Sequence, residues 1–282
     1  MLRQAMWAIS ISCLGGGLIA TATAVAAPAV ESAHAEPSRG ELVNESGRLR
    51  MLAERMGKAY AQIALNVMPD KAREQMAQSQ KRFEDNLRFV ARGANTPELK
   101  SQLQAVTTAY RSYALALTVP PTRDSVALAH RQTEQVVADA DRLTAAFDAH
   151  AQGGTAKIVN ISGRERMLSQ RLARLYFAAA LSGNNKSDIE KYRIEFKNAL
   201  VTLEGAPLSS PEIKRELELA KTQWLFFDQA MQGIGDTASN IRNVATTSER
   251  LLETMDNITA MYSNSLKYLV GALPAWIASG IA

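Results

Sequence analysis

The chain has 282 residues, of which 46% are hydrophobic and 21% charged, and its 32 Lys and Arg against 28 Asp and Glu give a formal net charge of +4. The basic and acidic residues are interspersed, which argues against nucleic-acid binding. Three scattered histidines and one cysteine provide no metal-ligand spacing and no disulfide framework, so we expect no metal and no cofactor. The sequence also has no phosphate-binding loop and no evident acid–base pair, so we expect no catalytic residues and no enzyme.

Residues 1–35 are typical of a secretory signal peptide. Arg3 precedes an apolar run over residues 5–27, and residues 33–35 read Ala-His-Ala, a cleavage motif, with residues 24–26 as an alternative site. The only cysteine, Cys13, lies inside this segment, so the mature chain is predicted to have no thiol. We therefore expect an exported, periplasmic protein.

Helical periodicity and helix-breaking residues predict eight helices and no strand. The first helix is expected to stop near residue 67, ahead of Pro69, because proline disfavours helical geometry in the residue before it. Thr96 and Ser210 each precede a proline, Pro97 and Pro211, and so predict the starts of the third and seventh helices. Because the connections are short, consecutive helices should be antiparallel neighbours. The predicted fold is all-α, with two tandem antiparallel four-helix bundles.

The predicted domain boundaries follow this punctuation. Gly153 and Gly154 separate the bundles and leave open either a hinge or one continuous helix. The C-terminal tail is interrupted by Pro274 and is shorter than the ~20 residues that a membrane span needs. We favour packing of the tail on the second bundle over docking to a membrane or partner through Trp276 and Ile277. The assigned segments are the signal peptide 1–35, the first bundle 36–152, the second bundle 153–265 and the apolar tail 266–282.

One string occurs in both halves of the chain. NESGRLRMLAERMGKAY at residues 44–60 returns as NISGRERMLSQRLARLY at residues 160–176, an offset of 116 residues with nine identities. A repeat with this offset indicates two copies of one small domain, here called copy one and copy two. We also align Tyr110 with Trp224, and Asp141 with Glu249 in the two fourth helices.

In each copy the string predicts an amphipathic helix with one buried apolar stripe and a second face of small residues around an arginine. Glycine inside a helix costs ~1 kcal/mol relative to alanine, so we expect another helix to approach this face closely. Two such faces in contact would bring Arg50 and Arg166 together, and guanidinium groups bind flat oxyanions through paired hydrogen bonds. The faces comprise Gly47, Arg50, Glu54 and Gly57 in copy one, and Gly163, Arg166, Gln170 and Ala173 in copy two.

The alternative for Arg50 is a surface salt bridge with Glu54, for which copy two has no equivalent because Gln170 replaces the acid. Asn44 and Asn160 are predicted near helix starts, where their side chains would cap free amides. Four further arginines are expected to cover the edge of the apolar stripe with their stems, while their heads reach water or the carbonyls of a neighbouring helix. These possible secondary ligand-binding residues are Arg48, Arg55, Arg164 and Arg171.

The string N-x-S-G-R-x-R-M-L-x-x-R resembles the PilJ/NarX-type sensor domain. This domain is the periplasmic input module of type IV pili methyl-accepting chemotaxis transducers and of nitrate/nitrite sensor kinases. The resemblance implies a four-helix bundle whose first helix carries this signature. In the nitrate-sensor branch of the family, the first helices of two subunits grip the anion through the arginine of the G-x-x-R-M segment. On this basis the ligand-binding residues are Gly47, Arg50, Gly163 and Arg166, and the ligand is nitrate-like or nitrite-like.

Two hypotheses follow for the function. The first is a periplasmic sensor module that binds a small anion, either within one chain or in a homodimer, and acts with a membrane-bound signalling partner. The second is a non-catalytic structural or adaptor protein of the cell envelope that keeps the sensor fold without a ligand. In the second case Arg50 and Arg166 would bind acidic side chains or carbonyls of the protein itself.

Overall fold

The computed structural model describes residues 37–149, 155–182, 186–233 and 238–272. These residues form eight helices and no strand, and the predicted all-α fold of two four-helix bundles is confirmed. The first bundle comprises α1 (Arg39–Ala64), α2 (Pro69–Ala91), α3 (Pro97–Ala116) and α4 (Arg123–Ala149), and the second comprises α5 (Thr155–Ser182), α6 (Lys186–Glu204), α7 (Pro211–Gln232) and α8 (Ala238–Ala272).

In each bundle, consecutive helices are neighbours and the fourth helix packs back on the first. Equivalent aromatic pairs join the second and third helices. Phe83 stacks on Tyr110 with ring centroids 4.1 Å apart, and Phe196 stacks on Trp224 at 4.4 Å. The predicted correspondence of Tyr110 with Trp224 is therefore confirmed.

The first helix of each copy begins earlier than the sequence suggested. Ser38 caps α1 through a capping box, in which its backbone N–H donates to Glu41 Oε2 at 2.8 Å and its Oγ accepts from the Glu41 N–H. Asn44 and Asn160 lie inside α1 and α5, more than a turn from their starts. The prediction that these asparagines cap helices is wrong. The Asn160 side chain accepts from Arg50 of the other copy, and the Asn44 side chain donates to Glu45.

The two bundles pack on each other through α1 and α5. Arg50 contacts Asn160, and Glu54 contacts Arg171, so the contacts advance in the same direction along both helices, which run parallel. Of the 26 residues of α1, 19 are buried, so this helix is enclosed on most sides. The predicted apolar stripe is part of this buried surface, and the contact with the other bundle buries the polar second face as well.

Several predictions concern the ends and junctions of the chain. Residues 1–35, the glycines at 153 and 154, and the tail residues 273–282 lie outside the described residues. Within the described tail, Leu266 is 7% exposed and lies against Gly40 of α1 in the first bundle. Among the helices that the structure describes, none is long and apolar enough to cross a membrane.

Candidate functional site

Arg50 lies where α1, α4 and α5 meet, and it is 1% exposed. Its Nη1 donates to Asp141 Oδ1 of α4 at 2.5 Å, and its Nη2 donates to Asn160 Oδ1 of α5 at 2.9 Å. Burial lowers the pKa of the guanidinium, and the negative charge of Asp141 opposes that shift. Arg50 therefore ties α1 both to the fourth helix of its own bundle and to the other copy.

Arg166 repeats this arrangement in copy two and is fully buried. Its Nη1 donates to Asp256 Oδ1 of α8 at 2.7 Å, and its Nη2 donates to the backbone oxygen of Asn44 at 3.1 Å. Burial and the nearby charge of Arg48 lower its pKa to about 10, which still leaves it charged at neutral pH. The Nε of Arg166 is buried without a hydrogen-bond partner in the described structure.

Gly47 and Gly163 make room for these two guanidinium groups. A Cβ at Gly47 would lie 3.0 Å from Arg50 Nη2, and one at Gly163 would lie 3.2 Å from Arg166 Nη2. Each arginine folds back over the glycine one turn earlier in its own helix. The expected reason for these glycines, the close approach of another helix, is wrong here and holds instead at Gly57, where a Cβ would lie 2.8 Å from a side chain of α5.

The first and third arginines of the copy-one string pair with α8 of copy two. Arg48 Nη1 lies 2.7 Å from Asp256 Oδ1, and Arg55 Nη2 lies 2.6 Å from Glu249 Oε2. The two arginines are seven residues apart on α1, and the two acids are seven residues apart on α8. Both arginines thus face carboxylates of the other copy, where the sequence had predicted water or backbone carbonyls.

Copy two shows the same pattern toward α4 of copy one. Arg171 Nη2 lies 2.9 Å from Glu134 Oε2, and Arg164 Nη1 lies 3.8 Å from Asp141 Oδ1. Asp141 therefore sits between Arg50 of its own copy and Arg164 of the other copy. Every arginine of the repeated string takes part in contacts where the two copies meet.

Comparison with known proteins matches this chain twice to the family described as PilJ, type IV pili methyl-accepting chemotaxis transducer N-term, over residues 35–146 and 147–254. The chain belongs to the PilJ family. The resemblance seen in the sequence is confirmed, with two tandem copies of a domain that is a sensor-type, non-catalytic signalling module. No curated protein and no solved structure matches the chain.

The acidic partners of the PilJ arginines were missed by sequence reasoning. The sequence alignment placed Asp141 opposite Glu249, but the ion pairs make Asp141 equivalent to Asp256 and Glu134 equivalent to Glu249, an offset of 115 residues. A signal was present in the sequence, because arginines seven apart in each first helix are matched by acids seven apart in each fourth helix. Such acids are common on solvated helix surfaces, so the spacing alone does not show which of them are paired.

Glu54 is a fully buried carboxylate that copy two lacks. It accepts from Arg171 Nε at 2.6 Å and from Arg174 Nε at 2.5 Å, and does not form the alternative salt bridge with Arg50. Burial acts to raise the pKa of Glu54, but the charges of Arg171 and Arg174 outweigh it and hold the pKa below its ordinary value. Gln170, its counterpart, donates instead to a backbone oxygen of α8 at 2.9 Å.

Lys58 is the copy-one counterpart of Arg174 and is also fully buried. Its Nζ pairs with Glu249 and lies 3.3 Å from Ser248 Oγ. Burial lowers the pKa of Lys58, while Glu249 opposes the shift. Among the residues that the structure describes, no cluster of side chains is arranged to hold a metal ion.

Proposed function

We propose that this protein is an exported periplasmic sensor that binds a small planar oxyanion, of the nitrate or nitrite class, at Arg50 and Arg166. One observation carries this proposal. Two buried guanidinium groups, one from each PilJ copy, are each held by one partly exposed carboxylate, with the Asp141 side chain 49% exposed and that of Asp256 35% exposed. Both arginines belong to one chain, so the proposed sites need no second protomer.

The proposed anion acts by competing with the two aspartates. A planar oxyanion presents the same pair of oxygens to a guanidinium as a carboxylate does. Asp141 and Asp256 border solvent and are able to turn outward, whereas the buried arginines are fixed. A displaced aspartate no longer ties the fourth helix of its bundle to the first, and a membrane-bound partner would read this change in helix contacts. Gly47 and Gly163 supply the space in which the guanidinium groups meet the anion.

A second candidate is a structural or adaptor protein of the cell envelope that keeps the PilJ fold without a ligand. The observation that favours it is that Arg50 and Arg166 already have carboxylate partners within the chain. In that case the two Arg–Asp pairs are permanent links between helices, and added anions have no specific effect.

The test is thermal unfolding of the purified protein in nitrate, nitrite, sulfate and chloride at matched ionic strength. A ligand that binds only the native state raises the unfolding midpoint. At one hundred times its Kd, it adds about 2.7 kcal/mol to the free energy of unfolding. We expect one planar anion to raise the midpoint, and the increase to grow in Asp141→Asn/Asp256→Asn, which lacks the competing charges. The increase should disappear in Arg50→Gln/Arg166→Gln.

Arg111→Gln/Arg242→Gln is the matched control, because it removes two exposed positive charges from other helices. If Arg50→Gln/Arg166→Gln does not fold, the response of Asp141→Asn/Asp256→Asn still decides between the sensor and the adaptor. Equal responses to all four anions, or no gain in the aspartate variant, would support the adaptor.

A further inference from the structure

A cleft with a volume of about 550 Å³ opens between α1, α2 and α8. Its floor includes the apolar side chains of Met51, Leu52 and Leu252. Small-molecule sites have volumes of roughly 300–1,000 Å³ and combine apolar walls with a few polar groups. A nitrate ion would fill only a small part of this space, so the cleft suits a larger molecule.

The lining of the cleft carries an excess of positive charge. Arg48 and Arg55 form ion pairs with Asp256 and Glu249, as described above. Lys71 on α2 is exposed and forms no ion pair with the described residues, and the same holds for Arg250 on α8. In full, the charged lining residues are Arg48, Arg55, Lys71, Arg82 and Arg250 against Glu249, Glu253 and Asp256, an excess of two positive charges.

The two copies differ in the side chain that contacts the equivalent arginines Arg55 and Arg171. Arg55 Nη1 donates to Ser79 Oγ at 3.2 Å, and at the equivalent position of copy two Arg171 Nη1 donates to Tyr192 Oη at 3.1 Å. The Tyr192 ring centroid lies 4.8 Å from Arg171 Cζ. An aromatic ring therefore lies over Arg171, whereas a short, fully buried side chain lies beside Arg55.

We propose that this cleft binds an organic dianion, a dicarboxylate with a hydrocarbon body. Arg82 pairs with Glu45 at 3.7 Å, which leaves Lys71 on α2 and Arg250 on α8 as the two lining cations without an ion pair in the described structure. They stand on different walls, so each meets one carboxylate of such a ligand. The hydrocarbon body lies across Met51, Leu52 and Leu252, which removes apolar surface from water. This site goes beyond the proposed anion sites, since neither Arg50 nor Arg166 lines it.

Isothermal titration calorimetry of the purified protein tests the ligand class. The probes are succinate, glutarate, adipate and phthalate, with sulfate as a dianion that lacks a hydrocarbon body. We expect saturable binding of at least one dicarboxylate with one site per chain, at least tenfold tighter than sulfate. Equal affinity for sulfate, or no binding of any dicarboxylate, overturns the proposal.

Two variants test the location of the site. Gln78→Trp should fill part of the cleft, because Gln78 is exposed and lines it, and Lys71→Gln/Arg250→Gln removes the two cations without an ion pair. Each should weaken dicarboxylate binding at least tenfold, whereas Arg111→Gln/Lys214→Gln, which loses two exposed charges elsewhere, should bind like the parent. Unchanged binding in either test variant overturns the proposal.

The two test variants also separate this proposal from the proposed function. If Gln78→Trp does not fold, Lys71→Gln/Arg250→Gln decides the location of the site. Nitrate responses should persist in the folded Gln78→Trp protein, so failure of the dicarboxylate site is distinguishable from failure of the sites at Arg50 and Arg166.

Discussion

The two PilJ copies hold each other with equivalent arginines but neutralise their buried cations differently. In the contact that copy one makes with α8, Arg55 and the fully buried Lys58 share one carboxylate, Glu249. Within the described structure neither cation has a second acidic partner. Arg55 and Lys58 therefore depend on a single acid.

In the corresponding contact of copy two, the cations have a second carboxylate. Arg171 and Arg174 share two carboxylates, Glu54 from α1 and Glu134 from α4. The additional acid exists because Glu54 in copy one stands where copy two has Gln170. Duplication thus preserved the positions of the cations but not the number of acids that pair with them. Equivalent acids should therefore contribute differently to the free energy of unfolding.

The largest expected effect is a difference between Glu249→Gln and its counterpart Glu134→Gln. Loss of Glu249 leaves two cations without a carboxylate, and breaking a buried ion pair in this way costs about 3–5 kcal/mol. Loss of Glu134 should cost less than half as much, because Glu54 still neutralises Arg171 and Arg174. Urea unfolding at pH 7 measures both losses of stability. Equal losses would show that Glu54 does not compensate for the loss of Glu134.

The effect of Glu249→Gln on stability should also depend on pH. Burial acts to raise the pKa of Glu249, but Lys58 and Arg55 outweigh it and lower the pKa from 4.5 to about 2. A carboxylate with a depressed pKa contributes its full stability above its unfolded pKa and loses it as the pH falls toward the folded value. The stability difference between the parent and Glu249→Gln should therefore shrink between about pH 5 and pH 2.

The next prediction concerns a buried acid that copy one lacks. Glu165 is 1% exposed, its Oε2 has no hydrogen-bond partner in the described residues, and Leu49 occupies the equivalent position. Burial, together with the charge of Glu195, raises the pKa of Glu165 well above its ordinary value. A carboxyl with a raised pKa supports stability below its unfolded pKa, and this contribution is lost as the pH rises through the folded pKa.

Glu165→Leu should therefore stabilise the protein at pH 8, by about 1–3 kcal/mol, the cost of an unsatisfied buried polar group. The gain should be smaller at pH 5, where the parent's carboxyl is closer to its neutral form. Leu49→Glu is the matched control. It introduces the acid into copy one and should lower the free energy of unfolding. A gain in stability that does not change with pH would contradict the assignment of the effect to this carboxyl.

The smallest expected effect concerns the Tyr192 ring that lies over Arg171. Tyr192→Ser removes the contact between the ring and the Arg171 guanidinium, which should cost about 1 kcal/mol. Tyr192→Phe keeps the ring and loses only the hydroxyl, so it should lie between the parent and Tyr192→Ser in denaturant unfolding. If Tyr192→Phe is less stable than Tyr192→Ser, the contact of a hydroxyl with Arg171 contributes more to stability than the ring does.

Much of the fold followed from local signals. The repeated string, the helical periodicity and the helix starts after Thr96 and Ser210 predicted eight helices in two bundles, because caps and periodicity act over a few residues. The repeat also led to the PilJ family and to the correspondence of Tyr110 with Trp224. The signal peptide, the periplasmic location, the ligand and the signalling partner stay predictions.

Only the tertiary structure decided which charges are paired. Arg50 and Arg166 have the same sequence signature whether they are solvated or buried, and their burial results from the packing of α1 on α5, more than one hundred residues away in the chain. The acids that neutralise the arginines come from the opposite copy or from the fourth helix of the same bundle, a choice that no local propensity encodes. The sequence by itself thus determined the helices and their repetition, and the packing of the two copies determined the site.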